Sequence, residues 1–127
     1  MLGALAIAAC GTPSHDLFVV TRSGDLPGAR LKLQVSDGGE VRCNDGGRRM
    51  LSSDQLIDAR ELARDLEEPG SRGLSLRPGP RSLLTYSVRL ETGTVRFSDT
   101  STRQPAAFYR LAALVRAVAK GVCGLPR

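Results

Sequence analysis

Aromatic and imidazole side chains are scarce in this sequence. There is no tryptophan, only two tyrosines and three phenylalanines, and His15 is the single histidine. So few rings leave no platform on which bases could stack, which excludes a nucleic-acid surface of that type. One histidine outside the folded part excludes Ser-His-Asp and Cys-His nucleophilic arrangements. The sequence also lacks CxxC and HxxxH spacings, so a metal site is not expected. No GxSxG, Walker-type or GxGxxG string occurs. Asp65, Glu67 and Glu68 read as a solvated helix end, and Asp99 as a turn cap rather than a base. No apolar run approaches the roughly 20 residues that a membrane-crossing helix needs. The expectation is a protein that is not an enzyme, with no metal, no cofactor and no nucleic-acid partner.

What is present describes one small globular domain. The 127 residues are 41% hydrophobic and 24% charged, too short for a multidomain enzyme and too apolar for wholesale disorder. Eighteen basic against thirteen acidic residues give a net charge of +5, and only Lys32 and Lys120 among the basic residues are not arginine.

Residues 1–9 are uncharged and end in small side chains before Cys10. An apolar stretch closed by small residues is the mark of a signal peptide. Ile7-Ala8-Ala9-Cys10 resembles a bacterial lipobox, which implies diacylglycerol on the Cys10 thiol, cleavage before it and acylation of the new amine. Signal segments normally begin with Lys or Arg, and none stands here, which points to a start upstream of Met1. The other reading of residues 1–9 is an apolar strand or helix within the domain, and nine helical residues rise only about 13.5 Å. Residues 10–16 then form the lipidated cysteine and a small, polar, proline-broken tether, with 17–127 as the folded domain. The expected location is extracytoplasmic, anchored to the cell membrane through Cys10.

With Cys10 lipidated, Cys43 and Cys123 remain as an even pair in an oxidising compartment, where disulfides persist. The alternative is two buried free thiols.

Periodicity supplies the fold class. Leu17–Thr21 is β-branched and apolar; Arg30–Ser36 alternates, with Leu31, Leu33 and Val35 on one face. Asp37-Gly38-Gly39 turns the chain into Glu40–Cys43, with Cys43 on the Val41 side. Ser52 and Gln55 form a capping-box pattern ahead of a helix striped by Leu56, Ala59, Leu62, Ala63 and Leu66, and Glu67-Glu68-Pro69-Gly70 stops it. Residues 71–81 read as a loop. Strands follow at Leu84–Leu90 and Val95–Phe97. A closing helix from Pro105 carries Phe108, Leu111, Ala112, Val115, Val118, Ala119 and Val122. The order βββ-α-ββ-α predicts an α+β fold: one antiparallel sheet of about five strands with two helices packed on one face.

Two features carry the functional expectation. The uncovered sheet face would present Arg30, Lys32, Arg42, Arg89 and Arg96, with Gln34 and Ser87 between them. Like charges across strands cost stability, so such a face suits an anionic lipid, cell-wall polymer or acidic protein. The plainer reading is a solvated face that Glu40 and Glu91 partly compensate. The second feature is Thr21-Arg22-Ser23-Gly24 followed by Gly28 and an alternating strand, then a Tyr86-containing hairpin and the closing helix. Over roughly residues 18–120 this arrangement resembles the emfourin-like proteins, small bacterial α+β inhibitors of thermolysin-type metalloproteases. The chain departs from their pattern at Asp25 and Leu26, and in the extra Cys43 strand. The resemblance implies a non-covalent, steric inhibitor of an extracellular protease acting through Ser23, Gly24, Asp25 and Leu26; the plainer alternative is a simple strand connection.

Overall fold

The computed structural model describes residues 15–127. The signal segment, Cys10 and the tether up to residue 14 lie outside the described residues. One antiparallel sheet of six strands carries three helices. In chain order the elements are β1 (Asp16–Ser23), β2 (Leu31–Ser36), β3 (Glu40–Cys43), β4 (Arg48–Met50), α1 (Ser53–Asp65), α2 (Glu67–Ser71), β5 (Thr85–Leu90), β6 (Gly93–Ser98) and α3 (Ala106–Gly121). The strands lie in the order β4-β3-β2-β1-β5-β6, which puts β1 in the middle, paired to β2 on one side and β5 on the other.

Period-two patterning decides which face is covered. Phe18 and Val20 of β1, Leu31, Leu33 and Val35 of β2, Val41 of β3, Val88 of β5 and Val95 of β6 are all buried against the helices. Helix α1 starts where the sequence places it: the Ser52 hydroxyl accepts from Gln55 N–H, and the Gln55 side chain accepts from Ser52 N–H. It buries Ala59 and Leu62, and Leu66 follows at its end. Helix α3 buries Phe108, Leu111, Val115, Val118 and Ala119, and Leu114 as well. Tyr86, Phe97 and Phe108 stack in series, with ring centroids 4.9 and 4.5 Å apart, and so tie β5, β6 and α3 together. Arg110 pairs with Asp65 at 2.8 Å and links α3 to α1.

Cys43, at the end of β3, is bonded to Cys123 just beyond α3, with Cα atoms 5.9 Å apart and a sequence separation of 80. The free-thiol alternative is set aside by that bond.

Three details differ from the sequence expectation. A sixth strand, β4, stands where none was predicted, because three residues of which two are arginine carry no alternation. Asn44 and Asp45 in left-handed conformations turn the chain into it. On the covered side of β4, Arg49 donates to the Val122 carbonyl at 2.7 Å, an orphan acceptor at the end of α3. Second, Glu67–Ser71 is a short helix rather than a stop. Pro69 sits in its first turn, where a missing N–H removes no helical bond. Third, the 71–81 loop is not free of the sheet. Leu76 N–H donates to Arg96 O and Arg96 N–H to Leu74 O, so residues 74–76 run along the outer edge of β6.

Candidate functional site

The face turned away from the helices is built from the other half of each alternation. Strand register lines up Arg48, Arg42, Gln34, Val19, Arg89 and Thr94 in one row across all six strands. At the usual strand spacing of about 4.8 Å that row spans about 24 Å. The next row runs Lys32, Thr21, Ser87, Arg96. Arg30 lies one residue before β2 on the same side and is exposed. The structure therefore brings Arg42 and Arg89 into one line and Lys32 and Arg96 into its neighbour.

Carboxylates answer only part of this charge. Lys32 pairs with Asp45 at 3.0 Å and Arg48 with Glu40 at 3.6 Å. Arg30, Arg42, Arg89 and Arg96 form no ion pair among the described residues. Arg42 and Arg48 stand directly opposite each other, an arrangement that costs stability unless something anionic lies over it. Six of the thirteen acidic side chains gather elsewhere: Asp54, Asp58, Glu61, Asp65, Glu67 and Glu68 belong to α1 and α2. The molecule is polarised, cationic on its open sheet face and acidic along its first helices.

The loop after β1 adjoins this face. Ser23, Gly24, Asp25, Leu26 and Arg30 border a shallow depression of about 450 Å³ with Ser82 and Leu83. Its shape is fixed by close packing. A Cβ on Gly24 would sit 2.2 Å from the Leu83 carbonyl oxygen, and Gly28 has φ +75° with the Pro126 ring where its Cβ would go. The Ser23 and Thr85 hydroxyls share a hydrogen bond of 2.6 Å. Asp25 is exposed at the bend and makes no ion pair among the described residues.

Arg22 belongs to this loop structurally but not to its surface. It is only 1% exposed, on the covered side of β1. Its Nε donates to Ala29 O at 2.8 Å, and one terminal nitrogen donates to Gly28 O at 2.9 Å and Arg127 O at 2.6 Å. The side chain thus clamps the far end of the 23–28 loop to the last residues of the chain. Burial pushes its guanidinium below the usual range; Tyr86, its cross-strand partner, works against that shift and Arg127 with it. The signal was present in the sequence: Phe18, Val20 and Arg22 share one parity, so the alternation that buries the first two buries the third.

Among the described residues no three His, Cys, Asp or Glu side chains gather as a metal would require, and no helix is long and apolar enough to cross a membrane. Compared with known protein families, curated proteins and solved structures, the chain matches none.

Proposed function

We propose that this chain is a non-catalytic, lipid-anchored binding domain outside the cytoplasm whose open sheet face docks on an anionic, phosphate-bearing component of the cell envelope. The observation that carries this reading is the register row of Arg48, Arg42 and Arg89 beside Lys32 and Arg96. Four of the face's cations lack carboxylate partners among the described residues, while α1 and α2 together carry six acidic residues against Arg60 and Arg64. In an anionic field that polarity turns the sheet toward the charge. A tether from Cys10 to Asp16 reaches about 20 Å when extended, enough to let the face lie on the surface that holds the anchor. Acyl chains supply attachment, and the face supplies orientation.

A basic residue close to an anionic surface contributes about 1 kcal/mol, screened over roughly 10 Å at 0.1 M salt. Membrane fractionation is expected to retain the Cys10 form, with acyl groups found by mass spectrometry, and to release Cys10→Ala. The released protein should still bind phosphatidylglycerol-containing vesicles at low salt. Arg42→Gln with Arg89→Gln should weaken that binding about 30-fold without lowering the melting temperature, since Arg42→Gln relieves the like-charge pair with Arg48. Binding indifferent to salt and to both substitutions contradicts the sheet-face reading, and an unmodified Cys10 contradicts the anchor.

A second reading is supported by the fixed 23–28 loop. A segment held at Gly24, Gly28 and Arg22 loses little freedom on entering a protease cleft. Micromolar inhibition of a thermolysin-like metalloprotease, lost in Asp25→Ala, is the expected result. No inhibition at that concentration removes this reading.

A further inference from the structure

Helices α1 and α3 lie side by side over the sheet and turn one face outward, away from the core. A solvated helix normally carries polar side chains there. On α3 the outward positions, at helical spacing, are Ala106, Tyr109, Ala113 and Ala117, all exposed, and the row ends on Lys120. Tyr109 is 56% exposed, and Ile57 on the outward face of α1 is 57% exposed. Between the two helices runs a groove of about 320 Å³, floored by Leu62 and Leu114 and bordered by Ala113 and Ala117. The helices differ in charge. Asp54, Asp58, Glu61 and Asp65 form an exposed stripe on α1, whereas α3 carries Arg110, Arg116 and Lys120 and no carboxylate. Arg60 and Arg64 of α1 turn to its other flank, beside His15 and Asp37. Asp65 and Arg110 pair within the chain; Asp54, Asp58, Glu61, Arg116 and Lys120 form no ion pair among the described residues.

We infer that this helix layer is the contact between two copies of the chain, related by a two-fold axis that runs along the helices. α1 and α3 are antiparallel: the Arg110–Asp65 pair joins the start of α3 to the end of α1, and Gln55 near the start of α1 shares the groove with Ala117. An axis along the helices keeps those levels and sets α1 of each copy over α3 of the other. Ile57 then stands over the low strip of Ala113 and Ala117, and Asp54 comes within reach of Lys120, each contact occurring twice. An axis across the helices would stack α1 on α1 and α3 on α3, acid on acid and base on base, which repulsion disfavours. Two helices of 13 and 16 residues, together about 20 Å long and about 20 Å across, give a footprint at the low end for specific contacts. The dimer is therefore weak, with a Kd of about 100 µM. The helix layer lies on the opposite side of the sheet from the cationic face, so both can be occupied at once, and either can fail without the other.

The test is sedimentation equilibrium of the full chain, carrying Cys10→Ala to remove any anchor and with the Cys43–Cys123 bond intact. The mean mass is expected to rise reversibly toward two chains between about 10 and about 500 µM. Ile57→Asp should weaken association about tenfold or more, because it places a charge in the apolar centre of the contact. Asp54→Lys alone and Lys120→Glu alone should each weaken it about tenfold, and the two together should restore it, since both pairs are then remade with the signs exchanged. These positions are exposed, so melting temperatures should fall by no more than about 5 °C. Arg42→Gln with Arg89→Gln, on the far face, should leave the equilibrium within about twofold of wild type. A chain still monomeric at about 500 µM, full association in Ile57→Asp, or a double charge variant no stronger than the single ones overturns the inference. So does growth beyond two copies that Arg42→Gln with Arg89→Gln weakens, the mark of a head-to-tail contact through the open sheet face.

Discussion

Replacing Cys43 and Cys123 together by serine is expected to lower the melting temperature by about 15–20 °C. The bond closes a segment of 80 residues, and the chain-entropy model values such a closure at about 4.5 kcal/mol, acting through the unfolded state. The location of the bond adds to this. It joins the end of β3 to the residues after α3, so one covalent link holds the closing helix against the β4 side of the sheet, where Arg49 to Val122 O is the neighbouring tie. Without the bond, that side should open first, and amide exchange should rise in β3, β4 and the last turn of α3 before the rest of the sheet. A melting curve unchanged by reduction or by the double substitution would show that the staple contributes nothing.

Arg22→Met is expected to cost about 3–4 kcal/mol. A buried ion pair can sometimes be replaced by apolar side chains without loss, because both charges leave together. Arg22 differs, since its acceptors are main-chain oxygens of Gly28, Ala29 and Arg127, which no side-chain substitution removes. Methionine fills much of the same space and leaves those acceptors without a donor, each at a cost of about 1–3 kcal/mol when fully buried. Arg30→Gln, eight residues on and exposed, should stay within about 0.5 kcal/mol of wild type. Denaturant unfolding of the two variants side by side measures the difference. An Arg22→Met protein as stable as Arg30→Gln would mean the clamp is ornamental.

The architecture was legible wherever local pattern and tertiary environment agree. Strict alternation in Arg30–Ser36 and Thr85–Leu90 names the buried face, Ser52 with Gln55 names the start of α1, and the stripe from Phe108 to Val122 names α3. Counting cysteines leads to the Cys43–Cys123 bond once Cys10 is assigned elsewhere. What escaped depends on distant partners. Strand β4 exists because β3 and the end of α3 hold it, not because Arg48-Arg49-Met50 favours extended structure. The segment after Gly73 pairs with β6 despite its many breakers, since Leu74 and Leu76 pack on the core. The candidate site divides in the same way. Parity alone places Arg42, Arg89, Lys32 and Arg96 on the open face. The clamp at Arg22 needs the chain's end folded back over β1, which no local pattern announces.

The two borders of the sheet restrict how anything can attach to it. Beyond β6 the hydrogen-bonding positions of Arg96 are taken by residues 74–76, and β4 at the opposite border is three residues long with two arginines. An extended peptide, or a second copy, finds no long vacant ladder to extend, and charge on a short border resists such growth. Crowded copies can thus stay separate at these borders, without seeding a continuous intermolecular ribbon. Any partner of the sheet must therefore meet side chains, in a flat contact over the cations of the open face.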